Sequence, residues 1–310
     1  AQVRFEVVMI YNDILETVGR TPLVKIGYLS ERGRSVYGKL EGLNPSGSVK
    51  DRAAAQILRD ALNNRRITEN TVIIEASAGN FAVSVAMCSA AMGFDCKIIM
   101  PENVNPQRIA NVRAYGADVV LTPKVEGLSG AVKKAESLKE EIGDAFIMGQ
   151  FSNKSATDAH FAGMAKEIFM DLPSVKWIVA GLGSGATVVG LTRYIVAKRL
   201  DCNVCVVMPE GNEILEGGEA AAHKIQGIGP ENLPKIASGV KFDKIVYVSD
   251  DEAVSAARKV AAEEGIFVGI SSGAALAAAE KLMKEEKGDV VVILPDTGQK
   301  YLNSSLCDYE

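Results

Sequence analysis

Histidine is scarce in this chain: His160 and His223 are the two present among 310 residues. That leaves little room for a histidine-built metal site, and no metal is expected. Cysteine is sparse as well, with five residues, Cys88, Cys96, Cys202, Cys205 and Cys307. An odd number at no framework spacing points to reduced thiols in a cytoplasmic protein. Cys202 and Cys205 spell C-x-x-C, but they sit in or beside the apolar run 203–208 with no second Cys or His pair nearby. They read as ordinary strand cysteines, with a redox pair as the alternative. Positive charge is not in excess: 34 Lys and Arg face 39 Asp and Glu, for a net −5, so nucleic acid is not an expected partner. No apolar stretch approaches the ~20 residues of a membrane helix, so no membrane is expected either. Residues 1–8 carry Arg4 and Glu6 and lack the apolar core of a signal peptide, and Met9 is a candidate start.

What is present is ordinary core material. Apolar residues make up 47% and charged residues 24%, as in soluble globular domains. At roughly 150 residues per domain, the length suggests about two units. Glycine, at 29, is gathered in short clusters.

Short β-rich runs alternate with alanine-rich helical stretches. Strands are expected at 35–41, 71–75, 96–100, 118–121, 145–148, 177–180, 203–208, 244–248 and 290–294. Helices are expected at 50–63, 81–92, 106–115, 129–142, 158–170, 186–199, 250–264 and 273–286, with Asp250 as an N-cap. The apolar strands do not alternate, which marks parallel strands covered on both faces. The fold class is therefore α/β: open, twisted, mainly parallel sheets, in two units that meet near 150–154. Ligands bind beyond the carboxyl ends of such strands, so the turns there carry the information.

Three turns are polar and glycine-bearing. In Asn44-Pro45-Ser46-Gly47-Ser48-Val49-Lys50-Asp51-Arg52, Lys50 falls in the first turn of a helix. The partial positive charge there disfavours an ammonium, which suits a nucleophilic amine or Schiff base; a solvated surface lysine is the plain alternative. Glu75-Ala76-Ser77-Ala78-Gly79-Asn80-Phe81 follows an apolar strand, and its N–H groups and hydroxyl could hold a carboxylate. Gly181-Leu182-Gly183-Ser184-Gly185-Ala186-Thr187 reads as a phosphate cradle. It also fits a G-x-G-x-x-A dinucleotide fingerprint, with Glu210 as the acidic residue after the next strand.

Taken together, the turns resemble the cysteine synthase and cystathionine β-synthase family of pyridoxal-phosphate enzymes, fold type II. The lysine motif is joined by Thr21-Pro22-Leu23-Val24, by Gly183-Ser184-Gly185-Ala186-Thr187, and by His223-Lys224-Ile225-Gln226-Gly227-Ile228-Gly229. Gly269-Ile270-Ser271-Ser272-Gly273-Ala274-Ala275 and Pro295-Asp296-Thr297-Gly298 with Tyr301 complete the series in the family's order. The likeness runs from about Asn12 to Tyr301 and displaces the dinucleotide reading. It implies pyridoxal 5′-phosphate in a cleft between a smaller, mobile unit (1–21 and 44–154) and a larger one (22–43 and 155–310). It implies Lys50 as Schiff-base lysine and proton carrier, and Asn80 at the ring hydroxyl oxygen. Gly183, Ser184, Gly185, Ala186 and Thr187 would hold the phosphate, and Ser271 the pyridine nitrogen. Ser77, Ala78, Gly79, Asn80, Phe81, Gln150 and Gly227 would hold the substrate. Family members are homodimers, so a homodimer is implied, without a haem segment or regulatory domain.

The implied reaction is a β-replacement: an activated serine, O-acetylserine or O-phosphoserine, loses its β-substituent and sulfide adds to give cysteine. A neutral hydroxyl at the ring nitrogen moderates the electron sink and favours β-elimination. Related chemistries are another nucleophile such as homocysteine, or sulfide release from cysteine. A catalytically weak regulatory paralogue and a nicotinamide dehydrogenase are the readings outside that chemistry. The sequence departs from the family where the substrate binds. The loop T-S-G-N-T reads Ser77-Ala78-Gly79-Asn80-Phe81 here, losing a hydroxyl and gaining a ring. Lys154 replaces a common proline, and Pro209-Glu210-Gly211-Asn212-Glu213-Ile214-Leu215 departs from E-P-x-x-S-P-V-L. Ala78 and Phe81 are therefore expected to set the donor.

Overall fold

The structure, a computed structural model, describes residues 10–308. The segment 1–8 and the candidate start at Met9 lie outside the described residues. The chain opens with β1 (Leu23–Lys25) and β2 (Val36–Leu40), then α1 (Lys50–Asn63). There follow β3 (Val72–Ala76), α2 (Asn80–Met92), β4 (Cys96–Pro101), α3 (Pro106–Ala114), β5 (Asp118–Thr122), α4 (Gly127–Ile142) and β6 (Ala145–Ile147). A second run holds α5 (Lys154–Ala159), a π-helical turn at His160–Ala165, α6 (Lys166–Asp171), β7 (Trp177–Gly181), α7 (Ala186–Lys198) and β8 (Asn203–Pro209). It closes with β9 (Lys244–Val248), α8 (Asp250–Glu264), α9 (Ile270–Met283) and β10 (Val290–Leu294).

Two sheets result. One has six strands in the order β1-β2-β10-β7-β8-β9, parallel except for the β1–β2 pair. The other has four parallel strands in the order β5-β4-β3-β6. Helices cover both faces of each sheet, and so each sheet separates two apolar clusters. β10, Val290 to Leu294, is buried at every residue, as a central strand without alternation should be. Cys205 faces one cluster of the larger sheet and Cys202 the other, so the C-x-x-C pair straddles the sheet instead of meeting. All five cysteines are free, and burial raises Cys202 and Cys205 to about 12.

Several elements differ from expectation. β1 was not anticipated; at three residues it is too short to show a period. The helix expected at 158–170 is longer, from Lys154 to Asp171, and carries the π turn within it. α8 is capped by Ser249, not Asp250: Ser249 Oγ accepts from Glu252 N at 3.2 Å and Ser249 N donates to Glu252 Oε2 at 2.9 Å, a reciprocal capping box. Asp250 turns instead to the backbone N–H of Lys224. α9 starts three residues before Gly273, which therefore lies inside a helix. A Cβ there would stand 2.0 Å from Ala253 O, so this glycine serves the close packing of α8 on α9 and not a ligand turn.

α1 is locked to the larger sheet by a buried ionic group. Arg52 meets Glu41 at 2.7 Å and Glu167 at 2.7 Å, and Lys39 meets Glu167 at 2.8 Å. The carbonyl and hydroxyl of Thr21 join through Lys39 and Glu41. Two cations against two carboxylates leave no net charge in the group. It fixes the helix on which Lys50 is the first residue.

Candidate active site

The carboxyl ends of both sheets converge on one cavity. Its wall includes Lys50 from the start of α1, Asn80 from the start of α2, and Gly183, Ser184, Gly185 and Thr187 from the β7–α7 turn. Gln226, Gly227, Ser271 and Tyr301 close it. The strand-to-helix connections deliver these residues because each parallel strand ends on the same edge of its sheet. The N-cap residues of the four helices that reach the cavity, Val49 of α1, Gly79 of α2, Gly185 of α7 and Gly269 of α9, make no side-chain cap. In α1 alone a nearby hydroxyl, Ser48 Oγ, accepts from the first N–H, that of Lys50, at 3.4 Å. α3, α5 and α8 are capped by Asn105, Asn153 and Ser249, while α4, which does not line the cavity, also lacks a cap. Open first-turn N–H groups and four converging positive helix ends favour an anionic ligand.

Lys50 is largely buried, with Nζ 3.5 Å from Ser184 Oγ. Burial pushes its amine down to about 8, against the opposing charge of Asp296. A larger share of free amine at neutral pH follows, as a nucleophile requires. The cradle opposite has no room for a side chain at Gly183 and disfavours one at Gly185. A Cβ on Gly183 would lie 2.1 Å from the carbonyl oxygen of Gly227, and Gly185 has φ +86°. Thr187 Oγ1 stands 3.4 Å from His160 Nε2, in the π turn. Burial, then the charges of Arg52 and Lys50, hold that imidazole well below its usual pKa and so neutral. Ala186 is buried behind the cradle, and only its backbone can face the cavity.

Ser271 is buried in the first turn of α9, near Gly227, which has φ +93°. Ser77 Oγ accepts from Gly79 N at 3.3 Å, which ties the loop after β3 into a turn. Ala78 borders a neighbouring opening shared with Gln226, and its carbonyl accepts from Arg108 Nη1 at 2.6 Å. Gln150 is buried beside Glu75, which accepts from its side chain and from Gly149 N at 3.0 Å. Gln150 is thus oriented by β3 and does not line the Lys50 cavity.

One expected substrate residue is turned away. The Phe81 ring is 1% exposed and packs inside the apolar cluster of the four-stranded sheet. The cause is helical geometry: α2 starts at Asn80, so the next residue is rotated by about 100° and points inward. The ring therefore does not touch the cavity, and the departure at this position is a core substitution.

Some neighbours were not singled out from the sequence. Asp296 accepts from Asn80 Nδ2 at 2.6 Å and from the Tyr301 hydroxyl at 2.7 Å. Lys300 Nζ donates to Asn80 Oδ1 at 3.1 Å. Asp296 and Tyr301 belong to the Pro295-Asp296-Thr297-Gly298 and Tyr301 motif, and Lys300 falls at one of the positions that this motif leaves open. Among the described residues no group of His, Cys, Asp and Glu is arranged to hold a metal, and no helix is long and apolar enough to cross a membrane.

A family model for pyridoxal-phosphate dependent enzymes matches residues 14–296. A probable cysteine synthase of Bacillus subtilis (strain 168) is 40% identical over 301 residues, spanning 95% of this chain and 97% of its own. Among solved structures, O-ureido-L-serine synthase superposes with a TM-score of 0.92 at 33% identity, covering 96% of this chain and 95% of that one. An O-acetylserine dependent cystathionine beta-synthase from Helicobacter pylori superposes with a TM-score of 0.89 at 36% identity, covering 96% and 99%. The cofactor named by the family is a phosphate-bearing aldehyde, and the cavity has a glycine cradle at an open helix start for the one and a reactive amine for the other. Both requirements are met within a single cavity, and the chain belongs to the pyridoxal-phosphate dependent enzymes.

Proposed function

We propose that this enzyme carries out a cysteine synthase-type β-replacement, taking an activated serine and sulfide to cysteine. The observation that carries the reading is Lys50: a buried amine held near pKa 8 at an uncapped helix start, 3.5 Å from the Ser184 hydroxyl of the glycine cradle. Pyridoxal 5′-phosphate, when bound, supplies the electron sink that lets the substrate Cα lose its proton. The backbone N–H groups of Gly183, Ser184, Gly185, Ala186 and Thr187 hold the phosphate. The Ser271 hydroxyl meets the ring nitrogen, and an Asn80 amide hydrogen meets the ring hydroxyl oxygen. Lys50 anchors the cofactor and carries the proton at the substrate Cα.

Ser77, Ala78, Gly79 and Asn80, with Gly227, bind the substrate through the open start of α2, and Gln150 supports that loop from behind through Glu75. Acetate or phosphate leaves the β-carbon with its bonding pair, and hydrosulfide adds to the same carbon. The unit built on the four-stranded sheet closes over the cleft and keeps water away from the reacting carbon. We place this work in a homodimer and in the cytoplasm, the latter supported by the five free thiols. Ala78, which lacks the family's hydroxyl, supports a second reading in which the same frame uses another nucleophile such as homocysteine.

The test is to load the protein with pyridoxal 5′-phosphate and add O-acetylserine, O-phosphoserine and cysteine one at a time. The absorbance of the loaded enzyme should respond to one of the two esters, and cysteine should form when sulfide follows. Lys50→Ala should abolish both signals. A response to cysteine alone reassigns the enzyme to sulfide release, and no response to any of the three refutes the proposal.

A further inference from the structure

The Asn80 amide is clamped at both ends. Nδ2 donates to Asp296 Oδ2 at 2.6 Å, while Oδ1 accepts from Lys300 Nζ at 3.1 Å. An ammonium can only donate, and Asp296 Oδ2 already accepts from the Tyr301 hydroxyl at 2.7 Å. The two partners therefore decide which end of the amide faces which way. Asp296 takes one of the two Nδ2 hydrogens. The other sits on a residue that lines the Lys50 cavity, with the Tyr301 hydroxyl also within its reach.

Lys300 is placed for this by its route. Its Cε lies 3.2 Å from the position that a Cβ on Gly47 would occupy, so its stem crosses the turn that leads into Lys50. Gly47 has φ +82° and adds no side chain in the way. The head then arrives at Asn80 from the side of the larger cleft, a cavity of about 630 Å³ that Lys300 and Arg108 also line. One cation thereby touches both the lysine turn and the asparagine that caps the opposite wall.

We propose that Lys300 is a positioning residue for the cofactor. It holds the Asn80 amide with Nδ2 toward the Lys50 cavity, so that the spare N–H meets the ring hydroxyl oxygen. Without the ammonium, Oδ1 loses its donor, and Asp296 alone holds the amide against turning its oxygen toward the ring, where oxygen would meet oxygen. The inference rests on the placement of Asn80 at the ring hydroxyl under the proposed function.

The experiment compares loaded wild type with Lys300→Met, Lys300→Gln, Lys300→Arg and Asn80→Ala at pH 7. It reads the absorbance maximum and the equilibrium dissociation constant for pyridoxal 5′-phosphate, neither of which needs turnover. Lys300→Met should shift the maximum in the same sense as Asn80→Ala and weaken cofactor binding about tenfold, the scale of one charge-assisted hydrogen bond. Lys300→Arg keeps a donor and should restore both. Lys300→Gln, with a shorter reach, should resemble Lys300→Met and replaces it if that variant does not fold. If Asn80→Ala shifts the spectrum and the Met and Gln variants do not, Lys300 has no such part. If Asn80→Ala leaves the spectrum unchanged, the placement of Asn80 fails first, and the inference with it.

Discussion

Arg52→Met should cost this protein much of its stability, and the structure says how much. Arg52 lies two residues after Lys50 and is buried. Its guanidinium forms a two-bond fork with Glu41, at 2.7 and 2.8 Å, and another with Glu167, at 2.7 and 2.8 Å. Removing it leaves Glu41 and Glu167 against Lys39 alone, an unbalanced carboxylate charge inside the fold. Breaking a buried pair in this way costs about 3–5 kcal/mol. Glu41 keeps neutral donors from Thr21, at 2.6 Å, and Asn44, at 2.9 Å, which argues for the lower half of that range. At roughly 2–4 °C of midpoint per kcal/mol, the loss is roughly 6–16 °C. Thermal denaturation of the cofactor-free protein measures it. Adding Glu41→Met should recover a large part, because apolar side chains of similar volume replace a buried pair at little net cost. A loss under ~1 kcal/mol in the single variant, or no recovery in the double, would refute the reasoning.

Other outcomes follow from the same geometry. Cofactor loading into the free protein should accelerate with pH around a midpoint near 8, the value to which burial brings Lys50, whereas an ordinary lysine would still be gaining free amine above pH 10; stopped-flow absorbance reads this. Glu75 is pushed up to about 8 by burial, with hydrogen bonds from Gly149 and Gln150 opposing, while its unfolded value is near 4.5. The fold therefore keeps a proton that the unfolded chain gives up, and this contribution is full below about 4.5 and lost as pH rises through about 8. Glu75→Gln should remove that contribution, so the change in urea-unfolding stability between acid and alkaline pH should differ between variant and wild type by the Glu75 share. Phe81→Thr should cost about 3–5 kcal/mol, as for a truncated core phenylalanine, and leave donor preference unchanged in a competition between the two serine esters.

The parts of this enzyme that were legible in its sequence are those governed by near neighbours. Val290 to Leu294 announces a strand buried on both faces because no polar residue interrupts it. The Asn44–Lys50 turn announces a helix start because Pro45 and Gly47 cannot continue a strand, and α1 begins at Lys50 as expected. The Gly181–Thr187 turn declares an anion cradle because its glycines permit the backbone approach that Gly183 in fact makes to Gly227. Phe81 shows where such reading stops. Whether a residue belongs to the loop or to the helix depends on where the helix begins, and a single residue of register moves a ring from the cleft to the core.

The orientation of the site is set by residues that sequence keeps far apart. Asn80 and Asp296 are 216 positions from one another, and Asn80 and Lys300 are 220 apart. Nothing local to Asn80 tells which end of its amide faces the cavity. That choice is made only when the β3–α2 turn of one sheet meets the segment after β10 of the other. The glycines of the cradle supply room for a ligand, but room is indifferent to the direction of a hydrogen bond. Direction comes from an ammonium and a carboxylate that do not line up with Asn80 until both sheets are assembled. A lysine at the start of a helix can be found by inspection, whereas the amide that faces it has a definite chemistry only in the folded chain.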